Sequence, residues 1–389
     1  MASPKLRFKE FDSEWALQNL GSLFSKRRDK GISGVPTYSV TLNNGIVNRD
    51  DLERDTPTNL SPQEHLLVKK NDLAYNMMRM WQGALGLAPT DGIVSPAYVV
   101  LKPSEQKTNS NFFEYYFKRN RQIHNFWAYS QGLTEDRLRL YFDDFKVIKI
   151  NAPSKEEQTK IASFLSGVDE KIAQLTQKHK LLRQYKQGMM QKLFSQQIRF
   201  KADDGSEFRE WDQKELKDVA QINPKAKKLP ENFIYIDLES VEKGQLLLEK
   251  NITLNEAPSR AQRLLAKGDV LFQMVRPYQQ NNYYFNLDGQ YVASTGYAQI
   301  RTELNSKFIY YAVHEKAFLD EVMNRCTGTG YPAINSSDLS TIEIGIPCLE
   351  EQIKISNFLS AIDQKIEKVA QQIEETKQWK KGLLQQMFV

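Results

Sequence analysis

The feature that most constrains this chain is a match of the sequence with itself. Residues 156–194 and 350–388 align without a gap and are identical at seventeen of thirty-nine positions. "EEQTKIASFL" returns as "EEQIKISNFL", and the match runs on through Gly188/Gly382 to Phe194/Phe388. A repeat of this length decides the architecture before any local reading does. It also extends upstream in shorter pieces. "KNDLAYNMMR" (70–79) pairs with "KGDVLFQMVR" (267–276), "IVSPAY" (93–98) with "VASTGY" (292–297), and "VIKINAP" (147–153) with "TIEIGIP" (341–347). "LRFK" at 6–9 recurs as "IRFK" at 198–201, each followed by a tryptophan, Trp15 and Trp211. The 389-residue chain is one unit written twice, each copy a variable segment followed by a well-kept one.

The well-kept segments have helical periodicity. Alternating steps of four and three from Ile161 to Leu193, and from Ile355 to Met387, land mostly on apolar residues. Lys, Gln, Glu and Asp fill the positions between, as in a coiled-coil seam. Neither stretch contains proline, and Pro153 and Pro347 stand just ahead of each as helix-start punctuation. Each segment predicts a helix of ~39 residues, ~58 Å long. So narrow a stripe needs a partner, and the nearest is the other copy. Antiparallel packing would return "QQMFV" at the C-terminus to "LRFKEF" at the start; parallel packing would make 200–345 span a whole rod. Lys186 and Lys380 fall at equivalent seam positions, either fixing register or orientation or snorkelling at a frayed end.

The variable segments read as short strands with helical pieces. "VPTYSVTLNNGIV" and "NFIYIDLESVEKGQLLL" suggest strand–turn–strand around Asn-Gly and Lys-Gly. "SNFFEYYFKRN" and "SKFIYYAVHEK" suggest helices, and "SQGLTEDR" and "CTGTGYPAIN" are glycine-containing loops. The expected fold class is α+β: two globular domains (1–152 and 197–346) separated by an antiparallel two-helix coiled coil (153–196 and 347–389), with an internal pseudo-twofold repeat.

Catalytic constellations are hard to find. There is no phosphate-binding GxxxxGK[S/T], no GxGxxG and no nucleophile elbow. The four histidines are scattered, and Cys326 and Cys348 make neither a metal motif nor a disulfide framework. "SPAY" (95–98) lacks the second proline of an amino-methyltransferase motif, and "STGY" departs further, so Ser95, Tyr98, Ser294 and Tyr297 read as structural. The start of the chain lacks the apolar stretch of a signal peptide, and no run suits a membrane span. A cytoplasmic protein is expected.

Basic and polar-aromatic clusters are more informative. The net charge is +5, weak by itself as a sign of polyanion binding. "SKRRDKG" gathers Lys26, Arg27, Arg28 and Lys30, and its counterpart "NPKAKK" gathers Lys225, Lys227 and Lys228. After the shared strand come "RMWQG", with Arg79 and Gln82, and "RPYQQNN", with Arg276, Tyr278, Gln279 and Gln280. Clustered Lys and Arg neutralise phosphates, while Arg, Gln and Asn make bidentate base contacts. Any one cluster is compatible with a solvated loop; their recurrence at equivalent places points to nucleic acid. Whether Arg79 and Arg276 touch bases, touch phosphate or brace a strand stays open.

These residues together resemble the specificity subunit of type I restriction–modification systems along the whole chain. The most specific signals are "PSKEEQTKIASFL" and "PCLEEQIKISNFL", each followed by D-x-K-I, then the K-x-D-[L/V]-x-[Y/F] strand and the "GLLQQMF" ending. The resemblance implies a non-catalytic subunit. Each recognition domain would read one half of a bipartite double-stranded DNA target, and the helices would set the spacer and dock two modification subunits. S-adenosylmethionine, ATP and Mg would belong to those methylating partners and to motor-nuclease restriction subunits, with no cofactor here. Glu157, Gln158, Lys171, Glu351, Gln352 and Lys365 are the expected docking residues. The alternative is a coiled-coil protein-binding scaffold without DNA specificity.

Overall fold

The computed structural model describes residues 3–52, 60–226 and 228–389. The fold is α+β, in two compact units: Met1–Thr176 with Gln371–Val389, and Gln177–Ala370. The boundaries cut both long helices, Lys155–Phe194 and Leu349–Gln386, of 40 and 38 residues. A structural unit is therefore not a sequence repeat. Each takes the first part of its own repeat's helix and the last part of the other repeat's helix.

In the first unit, one antiparallel sheet has the strand order Phe24–Arg27, Tyr98–Pro103, Leu73–Asn76, Leu85–Leu87. A second sheet runs Gly45–Asn48, Thr37–Thr41, Gly92–Val94, Leu66–Val68. Thr37–Thr41 and Gly45–Asn48 form the hairpin expected around Asn-Gly, while Thr37–Thr41 and Gly92–Val94 pair in parallel. The two sheets approach closely at Gly86, where a Cβ would lie 2.3 Å from the Ile46 nitrogen. A third pairing joins Ala16–Asn19 to Lys149–Ala152 and ties the beginning of the unit to the strand before the long helix. Helices Ser110–Phe117 and Asn120–Ala128 cover the first sheet with fully buried rings, including Phe112, Phe113, Phe117 and Phe126.

The second unit repeats this plan. One sheet runs Gln221–Ile222, Tyr297–Arg301, Val270–Gln273, Tyr283–Tyr284; the other runs Lys250–Thr253, Asn232–Ile236, Tyr291–Ser294, Ala261–Leu264. Asp212–Glu215 pairs with Glu343–Ile346, and helices Ser306–Ala312 and Lys316–Asn324 supply the cover. One expectation needs correction. The Lys243-Gly244 turn closes only a two-residue hairpin, Val241–Glu242 with Gln245–Leu246, and Asn232–Ile236 pairs instead with Lys250–Thr253. Gly244 has φ +79° and supplies the turn, but just ahead of the hairpin the chain is already turned by Asp237, whose Oδ1 accepts the amide and the hydroxyl of Ser240.

Within each unit the two helical segments run antiparallel. In the first, Lys380 pairs with Asp169, while Phe388 packs on Trp15, whose indole bonds Glu157 at the helix start. In the second, Lys186 pairs with Asp363 at 2.6 Å, while Phe194 packs on Trp211, which bonds Glu351. The seam carries Ile161, Leu165 and Val168 against Leu383 and Met387, and Ile355, Leu359 and Ile362 against Leu193. The two seam lysines thus act in orientation. Each sits 5.2 Å from a tyrosine ring, Tyr115 or Tyr311, whose hydroxyl donates to the same aspartate at 2.7 Å. Burial and that carboxylate raise both phenols well above the ordinary tyrosine value. As the antiparallel arrangement requires, the Leu6 amide reaches the Gln386 carbonyl at 2.9 Å.

Candidate nucleic-acid interface

In each unit three segments singled out in the sequence converge at one end of the first sheet. The shared strands end at Asn76 and Gln273, and the chain then enters a short 3-10 turn, Met80–Gln82 or Pro277–Gln279. Beside each strand end runs the glycine-containing loop. The Leu140 amide bonds the Met77 carbonyl, and the Ile334 amide bonds the Met274 carbonyl, both at 3.0 Å. The basic run starts next to it. Asn223, two residues before Lys225, donates to Ser336 at 2.7 Å, just past the second unit's loop. In the first unit Lys26 and Arg28 lie near enough to Asp143, just past the loop, to help Lys146 hold its carboxyl below the ordinary range.

Lys26, Arg28, Lys30, Lys225 and Lys228 are exposed; Lys227 lies outside the described residues. Arg27 is a correction. Its side chain is 9% exposed and bonds Asp72 and Asp29, with Nη2 3.1 Å from Asp72 Oδ1. Asp72 is the aspartate of the K-x-D motif and accepts the Lys69 amide, so the motif builds a buried ion pair that takes up the Arg27 charge. In the second unit Asp269 has the same part, with Arg301 and Gln299 as its partners.

Arg79 is exposed, and its Nη1 donates to Gln82 at 3.1 Å. Tyr278 is half exposed, and Gln279 is exposed and accepts from buried Gln273 at 2.9 Å. Gln280 is partly buried in the left-handed region, φ +52°. The two asparagines that follow are tied down, Asn282 in the interior. Asn281 accepts the Lys243 amide, and Asn282 accepts the Gln273 amide and donates to His314 Nε2. His314 donates from Nδ1 to the Tyr310 carbonyl, and burial pushes its pKa down to about 4, keeping the ring neutral. Sequence reasoning missed the loop tips, where Leu133 and Tyr331 are 96% and 68% exposed. The only available signal was an apolar or aromatic residue amid glycine and polar residues. "SPAY" and "STGY" prove to be one turn used twice, with Ser95 Oγ accepting the Ala97 amide and Ser294 Oγ the Gly296 amide.

The expected docking residues need a second correction. Glu157, Gln158, Glu351 and Gln352 are at most 2% exposed. Glu157 takes Arg7 at 2.7 Å and the Trp15 indole; Glu351 takes Arg199 at 2.8 Å and the Trp211 indole. Gln158 accepts the Asn109 amide and donates to the Pro153 carbonyl, and Gln352 repeats this with Asn305 and Pro347. The buried side of the first helical turn meets the segment that carries the arginine and tryptophan and the loop ahead of the covering helix, so these polar groups are consumed internally. Lys171 and Lys365 are exposed.

Comparison with known proteins bears on these surfaces. The family model described as type I restriction modification DNA specificity domain matches residues 14–184 and again 209–378. The MjaVIII type I restriction enzyme specificity subunit of Methanocaldococcus jannaschii is 25% identical over 348 residues, covering 81% of this chain and 78% of its own. In fold, the chain is similar to the type I restriction–modification S subunit of M. genitalium, with a TM-score of 0.61 at 16% identity over 100% and 99% of the two chains. A chain from a study of complex assembly and conformational transition in a type I system gives 0.54 at 17% identity, over 95% and 96%.

Proposed function

The chain belongs to the type I restriction modification DNA specificity family, and on that premise we propose that each of its two units reads one half of a bipartite DNA target. It is the recognition subunit of a restriction–modification system, and the chemistry belongs to other subunits. The observation that carries the half-site assignment is the recurrence, in each unit, of an exposed basic run, a 3-10 turn led by arginine and a projecting loop at the same end of the same sheet. Such a surface offers phosphate neutralisation beside side chains able to read base edges.

The finer assignments belong to the same proposal. Two modification subunits methylate adenine N6, and motor-nuclease subunits join them; S-adenosylmethionine, ATP and Mg stay with those partners. The protein works in the cytoplasm on double-stranded DNA, and no helix among the described residues is long and apolar enough to cross a membrane. Lys171 and Lys365 remain as docking residues on the exposed helix faces, and the long helices set the spacer.

Mapping of methylated adenines in cells carrying the chain and its partners tests this. Exchanging residues 1–152 for the equivalent segment of another family member should change one half of the motif and leave the other intact. A change in both halves would refute one half-site per unit. Inserting four residues into each long helix adds ~6 Å, on the order of two base pairs. The spacer should change with both half-motifs kept; an unchanged spacer would refute the ruler.

A further inference from the structure

Arg276 stands apart from the arginines whose charge is met inside the fold. Arg7, Arg27, Arg199, Arg301 and Arg325 each hold a carboxylate. The Arg276 guanidinium holds none among the described residues, and its Nε is buried without a hydrogen-bond partner. What positions it is the loop. The guanidinium carbon lies 4.2 Å from the centroid of the Tyr331 ring, and the Arg276 amide donates to the Pro332 carbonyl at 2.7 Å. Its backbone is left-handed, φ +53° and ψ +54°, a region that a non-glycine residue seldom adopts, least of all ahead of a proline. Conformations of this kind persist where surrounding structure dictates them, and they cluster at functional sites. Its counterpart in the first unit differs: Arg79 has φ −131° and bonds Gln82.

A planar, permanently charged fork, stacked on an exposed aromatic ring and lacking an internal anion, suits bidentate donation to the O6 and N7 of guanine. Stacking fixes the plane of the fork, so little side-chain freedom remains to be lost on contact. We propose that Arg276 reads a guanine in the half-site of the second unit, and that Tyr331 is the positioning residue that orients it. This rests on the reading of the chain as a DNA-recognition subunit, and it goes further by assigning one base to one side chain.

The test uses the full chain assembled with its modification subunits. The wild-type motif comes first from methylated-adenine mapping. Binding is then measured on duplexes altered singly at each guanine of the half-site that survives exchange of residues 1–152. Replacing the contacted guanine should weaken wild-type binding roughly 5- to 150-fold, the range of one good bidentate contact. Arg276→Ala should lose that discrimination at one position and keep the rest of the motif. Arg276→Lys should also lose it, because a point charge cannot form the fork. Tyr331→Ala should reduce the same discrimination, and Tyr331→Phe, which keeps the stack, should restore it. Equal loss of affinity for all sequences, with a salt slope reduced by about one, would overturn the proposal in favour of a phosphate contact. Unchanged affinity and specificity in a folded Arg276→Ala would overturn it in favour of a structural brace. Failure of the wild-type complex to methylate any defined sequence would strike the recognition reading itself, a result distinct from either.

Discussion

Arg199→Ala should destabilise the second unit by about 3–5 kcal/mol, the range for removing one partner of a buried ion pair. Glu351 has no exposed surface, and its carboxylate takes Arg199 Nε and Nη2 together with the Trp211 indole. Without Arg199 the negative charge keeps one neutral donor, the Trp211 indole. Arg7→Ala should act alike on Glu157 in the first unit, where Trp15 stands in Trp211's place. Denaturant midpoints at unchanged slope would measure both effects. A loss below about 1 kcal/mol would place these pairs with ordinary surface salt bridges and refute the account. Arg199→Met with Glu351→Leu should recover most of the loss, because an apolar pair of similar volume removes the stranded charge. The indole N–H left without its acceptor would keep the recovery incomplete by roughly 1 kcal/mol.

The same network marks where the sequence stops being legible. Repeat, helix spans, antiparallel seam and hairpin around Asn-Gly could be read because they rest on local periodicity and turn chemistry. The burial of Glu157 and Glu351 could not. Acidic residues in a first helical turn are usually solvated and favourable to the helix dipole, and their arginines lie 150 and 152 residues away in the chain. A signal was present all the same. "RFK", the tryptophan and "EEQ" recur together in both copies, as three parts of one network would. Arg27 shows the opposite difficulty. It stands in a run of basic residues that looks like a phosphate site, yet the buried Asp72 opposite takes its charge. In the second copy the equivalent aspartate takes Arg301 from another strand, so comparing the two basic runs could not have exposed the error. The candidate interface was legible as segments, but not as a surface, because the loop that completes each one reaches the strand end by backbone bonds with no sequence signature.

Phe388→Ala, next to the last residue, should cost the first unit about 3–5 kcal/mol, as for a buried aromatic truncated in a core. The ring is 4% exposed and meets Phe112 at 5.3 Å, Tyr116 at 5.9 Å and Trp15 at 6.4 Å between centroids, with Arg119 across its face at 5.1 Å. Its counterpart Phe194 packs on Phe308 and Trp211 but is only partly buried, so Phe194→Ala should cost less. Hydrogen exchange would separate the two. Protection should fall in 110–126 for the first variant and in 306–322 for the second, and a Phe388→Ala loss no larger than that of a surface residue would sink the argument. The reason for so large an effect at a chain end lies in the difference between repeat and unit. Residues 371–389 complete a core that begins near residue 6, whereas 177–370 contains the whole of the second unit. On the ribosome the second unit can therefore close before the first. In the first unit the rings of Phe24, Phe113, Phe117, Phe126 and Phe145 pack on one another, while Trp15, Phe112 and Tyr116 gain their Phe388 contact only when 371–389 are in place.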